Sequence, residues 1–109
     1  MRHFIKEEIT MLDIKKTLEG SALNVVLDGR LDTTTAPELE QQIKDDIEGV
    51  KELTFDMEKL DYISSAGLRV LLSCQKIMTK QGSMVVKNVS EEVMEIFEVT
   101  GFSDILTIE

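Results

Sequence analysis

Two adjacent serines, Ser64 and Ser65, are the residues of this sequence whose type and position best suit chemistry. They separate an apolar run, which predicts a strand, from the segment between Ala66 and about Lys80, which predicts a helix. A serine at such a junction can cap the helix by accepting a hydrogen bond from a free amide, which contributes about 1 kcal/mol. Because the small residues Ala66 and Gly67 leave the first helical amides open to an anion, a serine there can also carry a phosphate.

Hydrolytic and metal chemistry have little support in this sequence. A serine nucleophile elbow needs a glycine two residues before the serine, and Ile63 occupies that position. The single histidine, His3, is close to the N-terminus, so a His-dependent triad cannot assemble inside the fold. His3 and Cys74 lie far apart without further spaced ligands, and no P-loop or dinucleotide glycine motif occurs. We therefore expect no enzyme, no metal and no cofactor.

The length and the charge of the chain restrict what can position these serines and what can bind them. The sequence has 109 residues, of which 42% are apolar, enough for one domain with its own core. We expect a single domain over residues 1–109, with residues 1–10 as a loose N-terminal segment. The formal net charge of −9 argues against binding nucleic acid or an anionic membrane surface. It favours a protein partner with a basic patch.

Cysteine usage and hydropathy indicate the compartment. Cys74, the single cysteine, lies in an apolar helical run, and we expect it to be a small buried hydrophobic residue. One cysteine permits no intramolecular disulfide, which is typical of a reducing compartment. The sequence has no run of about 20 apolar residues, and its first eight residues lack the apolar stretch of a signal peptide. We therefore expect a cytoplasmic protein with no membrane partner.

The hydrophobic pattern predicts alternating strands and helices. Residues from about 11 to 18 and from 22 to 27 predict two strands joined by a tight turn, and hence an antiparallel hairpin. Helices, strands and a short last strand follow in the order α-β-α-β-α-β. This order predicts an α/β fold, in which a mixed sheet of four to five strands with an N-terminal hairpin is covered by about three to four helices.

The first helix has a clear start signal. The sequence Thr35-Ala36-Pro37-Glu38 predicts a capping box, in which Thr35 caps the helix and Glu38 reaches back to the Thr35 amide. Apolar residues follow at helical spacing and predict the buried face. They are Ala36, Leu39, Ile43, Ile47 and Val50.

The segment Leu60–Leu68, which reads LDYISSAGL, resembles the phosphorylation loop of STAS-domain anti-sigma factor antagonists. In that family a strand leads through a short loop to D-S-[ST/A]-G-L, and an ATP-dependent anti-sigma factor kinase phosphorylates the serine after the Asp. Aligned on Gly67 and Leu68, that serine is Ser65. Ser64 occupies the position of the family's Asp, which removes a charge and creates a rival phosphoacceptor.

A second stretch strengthens the resemblance. Gly29-Arg30-Leu31-Asp32 is similar to the family's G-x-[LI]-D loop, which lies beside the phosphorylation site. The resemblance extends from about Leu12 to Ile108 and includes the order of the elements, so it implies the STAS fold.

The resemblance implies a partner-switching regulator of transcription. In the family, the unphosphorylated antagonist binds an anti-sigma factor with serine kinase activity, and phosphorylation blocks that binding. The kinase supplies ATP, a phosphoserine phosphatase is a further partner, and the free chain is expected to be a monomer. We expect the phosphoacceptor Ser65 to be surrounded by a partner-binding face. Its residues are Asp32, Thr33, Thr34, Asp61, Ser64, Ala66, Gly67, Leu68 and Arg69.

Several alternatives stay open at the level of the sequence. Asp32 fits an Asx turn that fixes its loop as well as it fits a contact to the kinase or nucleotide. Arg69 fits a solvent-facing cation as well as a partner of the phosphate. The whole chain also fits a STAS scaffold subunit of a membrane or lipid-transport system, in which the serine is never phosphorylated.

Overall fold

The computed structural model describes residues 12–109. The expected loose segment 1–10, the expected strand position Met11 and the histidine His3 lie outside the described residues.

The opening hairpin follows from apolar residues at every second position. Strand β1 (Leu12–Glu19) pairs antiparallel with β2 (Ala22–Leu31) across the two-residue turn Gly20-Ser21. The φ of Gly20 is 62°, a left-handed value that glycine adopts without strain. Leu23, Val25 and Leu27 are buried in alternation, so one face of the hairpin lies on the core. The hairpin is confirmed, and β2 continues beyond Leu27 to Leu31.

The sheet grows from the hairpin by two parallel strands. Strand β3 (Glu52–Ile63) pairs with β2, and β4 (Ser83–Lys87) pairs with β3, so the spatial order is β1-β2-β3-β4. Helices α1 (Ala36–Asp46) and α2 (Ser65–Gln81) make the two crossovers that parallel strands require. Helix α3 (Glu91–Thr100) and a short 3₁₀ turn (Phe102–Asp104) follow. The α/β class and the mixed sheet are confirmed.

The C-terminal end contributes less than a strand. The expected short last strand over residues 105–108 is a single parallel bridge between Val86 and Ile108. The Val86 amide donates to the carbonyl oxygen of Thr107, and the Glu109 amide donates to that of Val86, each at 2.9 Å. These bonds cover part of the outer edge of β4.

One apolar core lies between the sheet and the helices. Phe55 and Leu27 from the strands and Leu71 and Phe97 from the helices have no exposed surface. All five residues expected on the inner face of the first helix are buried, but only Ala36, Leu39 and Ile43 lie within α1. The helix is shorter than expected: Ile47 is its C-cap, and Val50 lies beyond it.

The start of α1 differs from the expected capping box. Thr35 is the N-cap, but its side chain makes no capping hydrogen bond. Its hydroxyl is turned back toward the end of β2, where it donates to the carbonyl oxygen of Arg30 at 2.8 Å. The carboxylate of Glu38 instead accepts from Gln42 at 3.3 Å along the helix. The buried loop contacts of Thr35 thus replace the local cap that the sequence pattern predicts.

The ends of β2 and β3 define the edge where the candidate site lies. These strands are parallel, so both chains leave the sheet at the same edge, with Leu31 opposite Ile63. The β2–β3 register shifts twice near this edge, and bulges of this kind change where side chains point. In β3 the buried residues change from every second to every third position, at Met57, Leu60 and Ile63. Asp61 and Tyr62 therefore face outward beside the exit of β2.

Candidate functional site

Ser64 and Ser65 occupy different environments although they are adjacent. Ser64 is the N-cap of α2, with extended backbone angles, and Ser65 is the first helical residue. The Ser64 amide donates to the Leu31 carbonyl oxygen at 2.9 Å, which ties the junction to the end of β2. The Ser64 hydroxyl is buried and has no hydrogen-bond partner within residues 12–109. Ser65 is exposed.

The N-terminus of α2 lacks the side-chain cap that the same residue type provides elsewhere. At the start of α3 the Ser90 hydroxyl oxygen accepts from the Val93 amide at 3.2 Å. At the start of α2 Ser64 makes no such bond. The first backbone amides of a helix have no partner inside it. Those of α2 are therefore left without a cap from Ser64, next to the exposed side chain of Ser65.

Gly67 allows α2 to begin directly against the sheet. A Cβ atom at this position would lie 2.7 Å from Cγ of Leu31 and 2.8 Å from Cγ1 of Ile63. Gly67 and Leu68 are buried, Ala66 is half-buried, and Arg69 is exposed. Gly67 and Leu68 therefore fix the distance between helix and sheet, while Ser65 and Arg69 are presented to solvent.

Asp32 organises the loop that flanks the serines. Its Oδ1 atom accepts from the amides of Thr34 at 3.0 Å and Thr35 at 3.1 Å. The Asp32 amide donates to the hydroxyl oxygen of Thr35 at 2.9 Å, so the two side chains lock the loop reciprocally. This geometry confirms the Asx-turn interpretation. Thr33 and Thr34 are exposed, and contact of Asp32 with a kinase or nucleotide stays a prediction.

Arg30 and Tyr62 join this edge, and the sequence analysis did not select them. They are register partners on β2 and β3. The guanidinium carbon of Arg30 lies 4.5 Å from the centre of the Tyr62 ring, a cation–π distance. The Nε atom of Arg30 is 3.7 Å from Oδ2 of Asp32. The available signal was an arginine inside the Gly29–Asp32 motif and an aromatic residue inside the Leu60–Leu68 motif.

A groove between α1 and α2 opens beside the serines. It encloses about 400 Å³ and carries both a carboxylate and a guanidinium, those of Glu40 and Arg69. The remaining lining is small or apolar: Thr33, Ala36, Pro37, Ala66, Val70 and Ser73. Arg69, expected beside the phosphoacceptor, thus lies at the groove's wall.

Cys74 lines a second cavity, which shares Glu40, Val70 and Ser73 with this groove, and its thiol stays protonated at neutral pH. Burial, followed by the charge of Glu40, raises the pKa of its thiol from 9.0 to about 12. The expected burial of Cys74 is confirmed, and a buried thiol of raised pKa reacts slowly. No three His, Cys, Asp or Glu side chains within residues 12–109 come together as a metal site. The described part also contains no helix that is long and apolar enough to cross a bilayer.

Comparison with known proteins assigns the family. The model of the STAS domain matches residues 13–109. BtrV of Bordetella bronchiseptica, a candidate anti-sigma factor antagonist, is 36% identical over 84 residues, which cover 75% of this chain and 72% of BtrV. The anti-sigma-B factor antagonist of Bacillus subtilis is 30% identical over 98 residues, which cover 89% of this chain and 88% of that protein.

Solved structures agree on the fold. The anti-sigma factor antagonist SpoIIAA of Bacillus in its unphosphorylated form matches with a TM-score of 0.70 at 16% identity, covering 91% of this chain and 87% of SpoIIAA. Its phosphorylated form matches with a TM-score of 0.69 at 17% identity, covering 91% of each chain. The match to the family model spans both crossover helices, the Ser64–Ser65 junction and the sheet from Asp13 onward. This chain therefore belongs to the STAS domain family.

Proposed function

We propose that this chain is an anti-sigma factor antagonist that is switched by phosphorylation of Ser65. The observation that carries the proposal is the difference in solvent exposure between Ser64 and Ser65. A kinase must reach the hydroxyl that it modifies, and Ser65 is exposed whereas the Ser64 hydroxyl is buried. Exposure thus favours Ser65 over its rival, in agreement with the alignment on Gly67 and Leu68.

The partner is an anti-sigma factor with serine kinase activity. Two relatives bear the name of antagonists, and SpoIIAA has been solved in unphosphorylated and phosphorylated forms. In this proposal the kinase brings ATP and performs the phosphoryl transfer. The chain supplies the Ser65 hydroxyl and a docking face, and it is not itself an enzyme.

Electrostatics explain how one phosphate can disrupt binding. A phosphoserine adds a charge of about −1.5 to −2 at neutral pH. On Ser65 it would stand at the N-terminal amides of α2, which favour an anion within the free chain. Asp61 and Asp32 already carry negative charge in the docking face, beside the cations Arg30 and Arg69. Placing a further dianion in a contact with the partner costs desolvation and repulsion, and each 1.4 kcal/mol lost weakens binding about tenfold.

Phosphorylation of Ser65 must be reversed before the chain can bind its partner again. A phosphoserine phosphatase returns the chain to the binding form. The free chain is a monomer and works in the cytoplasm beside its kinase. No cofactor is held by the chain itself.

The test is phosphorylation of the purified chain by its anti-sigma factor kinase with ATP, followed by mapping of the phosphate by mass spectrometry. We expect one phosphate on Ser65, none on Ser65→Ala, and normal incorporation into the matched variant Ser64→Ala. Affinity for the kinase should be retained by Ser65→Ala and weakened by Ser65→Asp. Phosphate on Ser64 in Ser65→Ala would contradict the assignment. Binding without any phosphate transfer would favour the scaffold alternative.

A further inference from the structure

We propose that Tyr62, braced by Arg30, is the anchor through which the anti-sigma factor kinase holds this chain. The inference rests on the proposed function and assigns different roles to two residues. Tyr62 provides much of the affinity for the kinase, and phosphorylation of Ser65 controls whether the two proteins bind.

Tyr62 is the most exposed aromatic residue within residues 12–109. Tyr62 is 37% exposed, whereas Phe55 and Phe97 are completely buried and Phe102 is half-buried. It is the single tyrosine in the sequence. Tyrosine and arginine are the residue types most enriched among the few contacts that dominate protein–protein affinity. An exposed tyrosine in contact with an exposed arginine is therefore a strong candidate for such a contact.

The two side chains are held in place before any partner arrives. The ring of Tyr62 lies 4.5 Å from the guanidinium carbon of Arg30. Arg30 is in turn 3.7 Å from the Asp32 carboxylate, and that carboxylate is fixed by the amides of Thr34 and Thr35. Ordering side chains at an interface reduces affinity, and a surface that is already ordered avoids much of that loss.

The position of Tyr62 places it within reach of any protein that engages Ser65. It precedes Ser65 by three residues, and both are exposed. Its strand pairs with the end of β2, so the ring lies beside the Asp32 loop. A kinase domain that seats Ser65 in its active site therefore covers Tyr62 in the same contact.

The side chains around Tyr62 indicate the kind of binding pocket that the kinase should have. The phenol ring requires an apolar pocket. The exposed Asp61, next to Tyr62 in the chain, favours a basic residue at the rim of that pocket. The formal net charge of −9 attracts such a surface over a longer range.

The first experiment measures the dissociation constant of the unphosphorylated variants with the kinase by calorimetry. Tyr62→Ala should bind about 30-fold more weakly or worse, the loss that defines a dominant contact. Tyr62→Phe should stay within about threefold, because it keeps the ring. Leu18→Ala is the matched control, since Leu18 is 59% exposed but lies at the opposite end of the hairpin. Its affinity should be unchanged.

Kinetics separate an anchor from a residue that takes part in phosphoryl transfer. An anchor acts in the encounter of kinase and chain, so Tyr62→Ala should raise KM for the chain and leave kcat at saturation unchanged. Arg30→Ala should raise KM in the same direction by a smaller factor, because it removes the brace and keeps the ring.

A measurement without substitution covers the case in which Tyr62→Ala does not fold. Incorporation of 3-fluorotyrosine labels Tyr62 alone, because the chain has one tyrosine. Its fluorine resonance should shift when the kinase saturates the chain. An unchanged resonance, or wild-type affinity of Tyr62→Ala with Ser65 still phosphorylated, overturns the anchor and leaves the proposed function intact. If the wild-type chain neither binds the kinase nor accepts phosphate, both fail.

Discussion

A Cβ atom on Gly67 would lie 2.7 Å from Cγ of Leu31, so the first turn of α2 rests directly on the end of β2. At the same place the Ser64 amide donates to the Leu31 carbonyl oxygen at 2.9 Å. Packing and a backbone bond therefore set the position of Ser65 beside the Asp32 loop. The Ser64 hydroxyl, which has no hydrogen-bond partner within residues 12–109, adds no bond to that placement.

Replacing Gly67 by alanine should destabilise the fold. Alanine favours a helix over glycine by about 1 kcal/mol. The added methyl group, however, would overlap Leu31 and Ile63, which are both buried and cannot move aside freely. Since overpacking a core costs about 1–3 kcal/mol, we expect a net loss in the free energy of unfolding by urea.

A double-variant cycle checks the cause of that loss. Leu31→Ala removes Cγ and Cδ2 of Leu31, two of the three atoms that the new methyl group would meet, and leaves Cγ1 of Ile63. The loss in the double variant should therefore be smaller than the sum of the two single losses. Additive losses, or a stabilised Gly67→Ala, would show that the close contact does not limit this position.

The N-cap serines of α2 and α3 should respond differently to alanine. Ser90 accepts a capping bond from Val93, so Ser90→Ala should lower the free energy of unfolding by about 1 kcal/mol. The buried Ser64 hydroxyl has no partner within the described residues. Removing it should leave stability unchanged or raise it by up to about 1 kcal/mol. Thermal unfolding measures both, and equal losses would contradict the difference in capping.

The Thr35 hydroxyl should be the main polar stabiliser of the loop before α1. Thr35 is 5% exposed and bonds both the Asp32 amide and the Arg30 carbonyl oxygen. Thr35→Val keeps its shape but leaves these groups unpaired, so a loss of about 1–3 kcal/mol is expected. Thr34→Val is the control, because Thr34 is exposed. A similar loss in both variants would exclude the hydroxyl as the cause.

Cys74 should be protected from thiol reagents until the chain unfolds. Burial raises its thiol pKa from 9.0 to about 12, so a disulfide reagent at pH 8 should react only in denaturant. Above pH 9.0 the unfolded thiol loses a proton that the folded thiol keeps. The free energy of unfolding should therefore fall as the pH rises through this range. Cys74→Ala should lack this part of the decrease. If its free energy of unfolding depends on pH in the same way as that of the wild-type chain, the raised pKa of Cys74 is refuted.

Much of the fold was predictable because its signals are local. Alternating apolar residues gave the hairpin, and helical spacing gave the buried face of α1. Ser90 caps the N-terminus of α3 and Gly101 follows its C-terminus, and both residue types are typical of these positions. The predicted Thr35–Glu38 capping box was wrong because the Thr35 hydroxyl donates to the carbonyl oxygen of Arg30 in β2. That contact depends on the path of the chain and not on spacing.

The sequence by itself determined the α/β class, the order of the elements and the two motifs that identify the family, because apolar periodicity and turn residues act over short stretches. Only the tertiary structure decided which serine is exposed, since this depends on how closely Gly67 brings α2 to Leu31 and Ile63. It alone paired Arg30 with Tyr62, which are far apart in the chain and meet through the register of two parallel strands. Contacts between distant segments are set by packing of the whole core, and no local pattern encodes them.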